Sequence, residues 1–265
     1  MSRGLPLIAT PSANANMKST SAPSLTSKSV LSSLALQLLL SSSVTDAFSA
    51  FGVDVSTAVS ASAATCMKTK YNLTYGIARA WYSDGSGFDH NCVESVKSWR
   101  AAGIDADVYM FPCSFGLSAS DQVKTLMQEL ATNQVQFGRI WFDVETNPDP
   151  KCTWSSTNKT ANCDFMGELV KAAAETNALW GVYSSIHMWT TWMSTDPNVC
   201  TSASTLPLWY PHYEKPANPS FSDFQQFGGW TKPSIKQYAD GYAPGYLSPM
   251  CGVGVDNNWS PTWPI

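Results

Sequence analysis

Two acidic residues that are separated by a single position carry the clearest chemical signal in this 265-residue chain. Asp143 and Glu145 follow an apolar run that begins at Ile140 and predicts a β-strand. Alternate side chains of a strand share a face, so both carboxyl groups would point the same way, with Cα atoms about 6.5 Å apart. Carboxyl groups this close in an aromatic setting do not both ionise easily, which leaves a proton donor beside a carboxylate. Glycoside hydrolysis requires such a pair.

Two further acids strengthen this interpretation. Asp54 lies near the end of the first predicted strand, and Asp256 lies near the end of the last one. If the predicted strands close into a barrel, the first and last strands are neighbours, and all four acids would lie at one mouth of that barrel. A single Asp-x-Glu pattern more often ends a strand by chance and meets solvent. Because only 14% of the residues are charged, four acids at three strand ends favour an active site.

The elements that must position these acids alternate along the chain. Helical patterns occur at 90–101, 118–133, 163–177 and 186–193, and strand patterns occur at 51–55, 76–81, 105–111, 137–144, 179–184, 206–210, 235–238 and 253–257. This order predicts an α/β fold: an irregular, single-domain (β/α)8-like barrel built from parallel βαβ units. The connections at 211–233 and 239–249 are rich in Pro and Gly, so we expect fewer helices in the last third. Active sites of such barrels lie at the mouth formed by the carboxyl ends of the strands.

Strand alternation also predicts which side chains are packed. Ile140, Phe142 and Val144 would lie under the helices, whereas Trp141 would point into the barrel with the two acids.

The chain divides into a leader at 1–49 and a catalytic domain at 50–265. The leader combines a Ser-rich extension with a signal peptide whose apolar run, 30–40, is too short to span a membrane. The start is Met1 or Met17. The alternative is a disordered Ser-rich tail. We therefore expect a secreted or lysosomal (phagosomal) monomer with no stable membrane anchor in its mature form.

The seven cysteines all follow the leader and lack zinc spacing, which favours disulfides and export. Cys152 and Cys163 bracket a polar loop and are the expected pair; the other connectivities stay open. Glycosylation acceptor patterns begin at Asn72, Asn158 and Asn258.

Other chemistries find little support in the sequence. The formal net charge of −4 argues against nucleic acid as a partner. There are three histidines and no HExxH pattern, and no Gly-rich phosphate loop occurs. We therefore expect no metal and no cofactor.

An ordered set of short motifs resembles the glycoside hydrolase family 25 lysozymes (the Chalaropsis type), within their protist and nematode branch. The motifs are Phe51-Gly-Val-Asp-Val-Ser56, Val108-Tyr-Met-Phe-Pro-Cys113, Ile140-Trp-Phe-Asp-Val-Glu145, Trp180-Gly-Val-Tyr-Ser-Ser185, Leu208-Trp-Tyr210, Ile235-Lys-Gln-Tyr238 and Val255-Asp-Asn-Asn258. The resemblance implies an N-acetylmuramidase that cuts the β-1,4 bond between N-acetylmuramic acid and N-acetylglucosamine in bacterial peptidoglycan.

The resemblance also implies roles for individual residues. Glu145 matches the general acid, Asp143 matches its partner carboxylate, and Asp54 and Asp256 match supporting acids. The positions that match the lining of the sugar groove are Tyr109, Tyr183, Trp209 and Gln237. For these four, simple core packing stays an open alternative. Retention of anomeric configuration is favoured, because one strand holds both acids close together.

Two alternative functions remain. A chitinase-like hydrolase would act by substrate assistance, but its usual strand motif carries a further acid where this chain has Trp141. A sugar-binding barrel for cell walls without turnover is the second alternative, and the intact acids argue against it.

Overall fold

Eight strands close into a barrel in which each strand neighbours the next one along the chain, and the last strand neighbours the first. The computed structural model describes residues 48–196, 198–241 and 248–265. The predicted leader, with its start and cleavage site, lies outside the described residues. The expected (β/α)8-like barrel is confirmed.

The strands are Phe48–Val55 (β1), Tyr75–Trp81 (β2), Asp105–Met110 (β3), Arg139–Asp143 (β4), Leu179–Tyr183 (β5), Leu208–Pro211 (β6), Ile235–Ala239 (β7) and Asp256–Trp263 (β8). The α-helices are Ala61–Tyr71 (α1), Asn91–Ala101 (α2), Ala119–Thr132 (α3), Lys159–Ala174 (α4) and Ile186–Trp192 (α5). A 3-10 helix, Ser202–Thr205, follows α5 and is the only further helix in the described ranges. The last third is therefore poor in helices, as predicted.

The last strand departs from the predicted parallel arrangement. β1 to β7 pair in parallel, whereas β8 runs antiparallel to both β1 and β7. Asp256 therefore begins β8 instead of lying near its end. Because the strand direction is reversed, this beginning lies at the same rim as the carboxyl ends of the other strands. Asp256 is the direct Cα partner of Asp54 on β1.

Side chains alternate between two packed layers, as the strand pattern predicts. Ile140, Phe142 and Val144 belong to the large apolar cluster that the strands share with the helices. Trp141 belongs to a second cluster, made of strand residues only, that fills the barrel interior. Its indole is fully buried and donates a 3.0 Å hydrogen bond to Asp107.

The end of the barrel opposite the acids is closed by aromatic packing. Trp263, at the end of β8, stacks on Tyr75 with ring centroids 3.9 Å apart and donates to Asp105 at 2.9 Å. Arg139 donates to the carbonyl of Ile265 at 2.9 Å. Tyr75, Asp105 and Arg139 begin β2, β3 and β4, whereas Trp263 ends the reversed β8 and Ile265 follows it. These contacts together close that face.

Capping side chains define where the helices begin. Ser118 accepts a hydrogen bond from the Asp121 amide and caps α3. Asn158 caps α4 in the same way, so this helix begins at Lys159, four residues before the predicted start. The sequence patterns missed α1, because its buried residues, Ala63, Ala64 and Met67, form only a weak apolar stripe.

The predicted Cys152–Cys163 disulfide is wrong. The structure pairs Cys66 with Cys251, Cys113 with Cys152, and Cys163 with Cys200. The physical reason is that Cys163 lies inside α4, whereas Cys152 lies in the loop after β4, beside the loop after the neighbouring β3. Cys92 is free and buried, and burial raises the pKa of its thiol to about 12.

Two observations bear on the surface of the protein. None of the helices in the described ranges has the length and apolar character needed to cross a bilayer. Asn258 is fully buried and its amide is hydrogen-bonded on both sides, so its glycosylation pattern cannot be used in the folded protein. Asn72 and Asn158 are exposed.

Candidate active site

The four predicted acids lie at one rim of the barrel. Asp54 is near the end of β1, Asp143 ends β4, Glu145 lies two residues beyond, and Asp256 begins β8. Their charges act on one another: Asp256 raises the pKa of both Asp54 and Glu145, and Glu145 raises the pKa of Asp143. The structure therefore brings together the four side chains that the sequence singled out.

Asp54 is buried, 8% exposed, and held by two amides. Its Oδ1 accepts hydrogen bonds from Gln237 Nε2 at 2.8 Å and from Asn258 Nδ2 at 2.6 Å. Burial raises the pKa of Asp54 well above its usual value and Asp256 adds to this, while the two amide donors lower it. The carboxyl group is thus fixed in place from the floor of the site.

The orientation of both amides is set by further hydrogen bonds. Tyr183 and Tyr213 each donate a hydroxyl to Oε1 of Gln237, the former at 2.8 Å. Trp209 donates its indole N–H to Oδ1 of Asn258 at 2.7 Å. With their oxygens occupied by donors, both amides must present their NH2 groups to Asp54.

Asp143 is a buried carboxyl group with an unused oxygen. It is 7% exposed, and within the described part of the chain its Oδ1 has no hydrogen-bond partner. Burial raises the pKa of Asp143 well above its usual range, with Glu145 and then Asp54 adding to the effect, whereas Arg79 lowers it. A polar atom that is buried without a partner inside the protein is a place where a ligand can supply one.

Glu145 is the more accessible member of the pair and is partly exposed. Burial, followed by the charge of Asp256, raises the pKa of Glu145 to about 7. Its backbone carbonyl accepts a 3.0 Å hydrogen bond from the indole of Trp154, which fixes the chain just beyond β4. A carboxyl group with a pKa near neutrality is suited to act as a general acid.

Arg79 is a site residue that the sequence analysis missed. It lies on β2 at the inward-facing positions shared with Tyr75 and Ile77, with its side chain partly exposed. Its Nε pairs with the fully buried Asp89 at 2.9 Å, and its Nη2 donates to the Ser56 carbonyl at 3.2 Å. The alternation of β2 was the available signal, because it places this cation inside the mouth.

A pocket of about 460 Å³ opens at the rim between β1 and β8, and Asp54, Tyr109 and Asp256 line it. Tyr109 is partly exposed there. The other three expected groove residues, Tyr183, Trp209 and Gln237, are 7%, 2% and 2% exposed and lie in the network beneath. Tyr213, which the sequence analysis did not select, is 46% exposed.

The loops after β2, β3 and β4 are fastened to one another beside Glu145. The Cys113–Cys152 disulfide joins the loops after β3 and β4. Asn147 donates to the carbonyl of Ser83 at 2.8 Å, which adds the loop after β2. Gly85 packs so closely on this disulfide that a Cβ would lie 2.9 Å from the sulfur of Cys152.

A separate polar cluster lies outside the barrel, where β7 meets the segment after β6. His212, Glu214 and Asp223 are close enough to hold a metal ion. However, the fully buried ammonium group of Lys236 already bonds Glu214 at 2.8 Å and Asp223 at 2.7 Å. These acids therefore neutralise a buried lysine, which is a structural role.

An eight-stranded β/α barrel with several carboxyl groups at its open rim is typical of glycoside hydrolases. Comparison with known proteins identifies the family within this class. A family model described as "Lysozyme-like protein 1" matches residues 45–238. "Probable GH family 25 lysozyme 2" of Dictyostelium discoideum is 38% identical over 211 residues, which cover 79% of this chain and 90% of that protein. "Lysozyme-like protein 5" of Caenorhabditis elegans is 33% identical over 79% of this chain and 91% of its own length.

A solved structure agrees on the fold. The GH25 lysozyme from Aspergillus fumigatus superposes with a TM-score of 0.60 at 17% identity, over 80% of this chain and 93% of that one. The chain belongs to the glycoside hydrolase family 25 lysozymes, and it is a glycoside hydrolase.

Proposed function

We propose that this protein is a lysozyme that hydrolyses the β-1,4 bond between N-acetylmuramic acid and N-acetylglucosamine in bacterial peptidoglycan. The observation that carries the proposal is the pairing of Glu145, a partly exposed carboxyl group with a pKa of about 7, with the buried Asp143 at the barrel mouth. One group keeps its proton near neutral pH, and the other lies beside it where positive charge would develop on the sugar.

Glu145 is proposed as the general acid. Protonated Glu145 donates its proton to the glycosidic oxygen as the bond from that oxygen to C1 of the muramic acid breaks, which leaves Glu145 as a carboxylate. A water molecule then adds to C1 and gives a proton back to Glu145, which completes the hydrolysis. Its partial exposure makes the proton accessible to a glycan lying across the rim. The fixed backbone, held by Trp154, keeps the carboxyl group in position.

Asp143 is proposed as the group that meets the positive charge on the sugar, directly or through the acetamido oxygen of the substrate. Burial raises the pKa of Asp143 on balance, and the positive charge of Arg79 offsets part of this rise in favour of the ionised form. Its unpartnered Oδ1 could accept a hydrogen bond from the substrate. Asp54 and Asp256 are proposed as supporting acids, and the charge of Asp256 helps to keep Glu145 protonated.

The proposal is tested with the variant Glu145→Gln, which should fold like the wild type but release no reducing ends from purified bacterial walls. Glu168→Gln is the matched control, because Glu168 is an exposed acid on α4. Wild-type activity in Glu145→Gln would overturn the assignment.

The bond that is cut is identified by reducing the new chain ends with borohydride before acid hydrolysis. N-acetylmuramitol is expected, whereas N-acetylglucosaminitol would show that the other glycosidic bond is cleaved. Chitin serves as the comparison substrate for the chitinase-like alternative. That alternative is disfavoured because Trp141, at the position of its further acid, is packed in the barrel core.

Three disulfides support a proposed location outside the reducing cytosol, in the secreted or lysosomal (phagosomal) compartments. Production in cells with and without an oxidising export route tests this, since the expected disulfides form only in the first.

A further inference from the structure

Tyr213 connects the protein surface to the hydrogen-bond network under Asp54. It lies two residues beyond β6 and is 46% exposed, so a large part of this residue meets solvent. Its hydroxyl donates to Oε1 of Gln237, which is 2% exposed and in turn donates to Asp54 at 2.8 Å. One side chain therefore reaches from the surface to an acid of the site through a single amide.

The hydroxyl of Tyr213 also lies within the field of the acids. Burial of this group raises its pKa far above the usual tyrosine value, and the charges of Asp54, Asp256 and Glu145 raise it further. Three of the four acids thus act on one hydroxyl, which places it at the mouth. The raised pKa favours the protonated hydroxyl, which is the form that donates a hydrogen bond.

We propose that Tyr213 serves the reaction in two ways: its exposed ring is a platform for a sugar of the glycan, and its hydroxyl positions Asp54 through Gln237. This inference rests on the proposed function. Aromatic rings offer a flat apolar face while their polar end is hydrogen-bonded, and one face of a sugar ring is apolar in the same way. Tyr183 donates to the same oxygen, so Gln237 keeps one donor when the other is removed, and Tyr213 is a positioning residue of moderate effect.

The two roles are separated by two substitutions. Tyr213→Phe keeps the ring and removes the hydroxyl; kcat should fall about threefold to tenfold, the value of one lost hydrogen bond, with KM unchanged. Tyr213→Ala removes both, so KM should also rise by about fivefold or more. Tyr71→Phe and Tyr71→Ala are matched controls on a partly exposed tyrosine of α1, and they should leave both constants at wild-type values.

Thermal melts of all variants come first, because a purely structural role would lower the melting temperature without separating kcat from KM. Wild-type kcat in Tyr213→Phe would overturn the positioning role, and equal KM in the two Tyr213 variants would overturn the platform. Binding of solubilised wall glycan fragments to Glu145→Gln, with and without Tyr213→Ala, is measured by calorimetry. Weaker binding in the double variant supports the platform. This conclusion holds even if the wild type releases no reducing ends, because that failure would refute only the proposed lysozyme activity.

Discussion

Asn258 donates a 2.6 Å hydrogen bond to Asp54 across 204 residues of sequence. The bond joins β8 to β1 at the seam where the barrel closes, and the same strands pair Asp54 with Asp256. The amide of Asn258 cannot reach the carboxyl group of Asp54 unless β8 has docked in its reversed direction. The placement of Asp54 therefore depends on correct closure of the barrel.

Replacing Asn258 with Ala should lower both stability and activity. Asp54 loses a donor and the buried Trp209 indole loses its acceptor, so the free energy of unfolding should fall by about 1–3 kcal/mol. Urea denaturation measures this loss. Asn177→Ala, at an exposed position, is the control and should change neither quantity; a comparable loss in that variant would contradict the explanation.

The pH dependence of stability should report on Glu145. Its pKa rises from 4.5 to about 7 on folding, so the folded state binds more protons in this interval. Stability should therefore be greatest below pH 4.5, as far as this group is concerned, and decline as pH rises towards about 7. Glu145→Gln should flatten that slope in urea titrations at several pH values, and an unchanged slope would show that other groups cause it.

Activity should follow the same group. Because Glu145, as the proposed general acid, must hold its proton, kcat/KM should fall as pH rises through about 7. A pH–rate profile on bacterial walls measures this decline. A profile that rises through neutrality would require a different proton donor.

Arg79→Met should have two separable effects. The buried Asp89 is left without its cation, which should cost about 3–5 kcal/mol of stability. The pKa of Asp143 should rise as well, moving the acidic limb of the pH–rate profile to higher pH. Adding Asp89→Asn should restore the stability but leave the acidic limb of the pH–rate profile at its higher pH. If the limb also returned to its wild-type position, the effect of Arg79 on Asp143 would be indirect.

Two disulfides of nearly equal span allow a matched comparison. Cys113–Cys152 and Cys163–Cys200 close segments of 39 and 37 residues, so removing either should cost about 4 kcal/mol by loop entropy. Only the first fastens the loops beside Glu145. Replacing each pair with Ala should lower the melting temperature similarly, while kcat should fall mainly in the Cys113/Cys152 variant. Equal kcat values would show that the fastening is not needed for activity.

The sequence predicted what depends on local patterns. The alternation of β4 placed Trp141 inside the barrel with Asp143 and Glu145 beside it, and the Pro- and Gly-rich segments predicted a helix-poor last third. These features rest on periods of two and on turn composition, which a single chain displays directly.

The features that were missed depend on distant partners. The reversed direction of β8 cannot be predicted from its own residues, since an alternating strand has the same pattern in either direction. The hydroxyl of Tyr213 bonds to the amide of Gln237, 24 residues away, and that amide bonds to Asp54, 183 residues away. Cys152 pairs across two loops that become neighbours only when β3 and β4 align. Such contacts are set by the closed topology, which local patterns do not specify.

The sealed base of the barrel determines how a long polymer can be handled. With Trp263 stacked on Tyr75 below and Trp141 filling the interior, a glycan strand cannot thread through the protein and must lie across the rim. The protein can then bind the strand at any position along its length and does not need a free chain end. The expected result is early scission at internal positions, so wall suspensions should lose turbidity while most released fragments are still long.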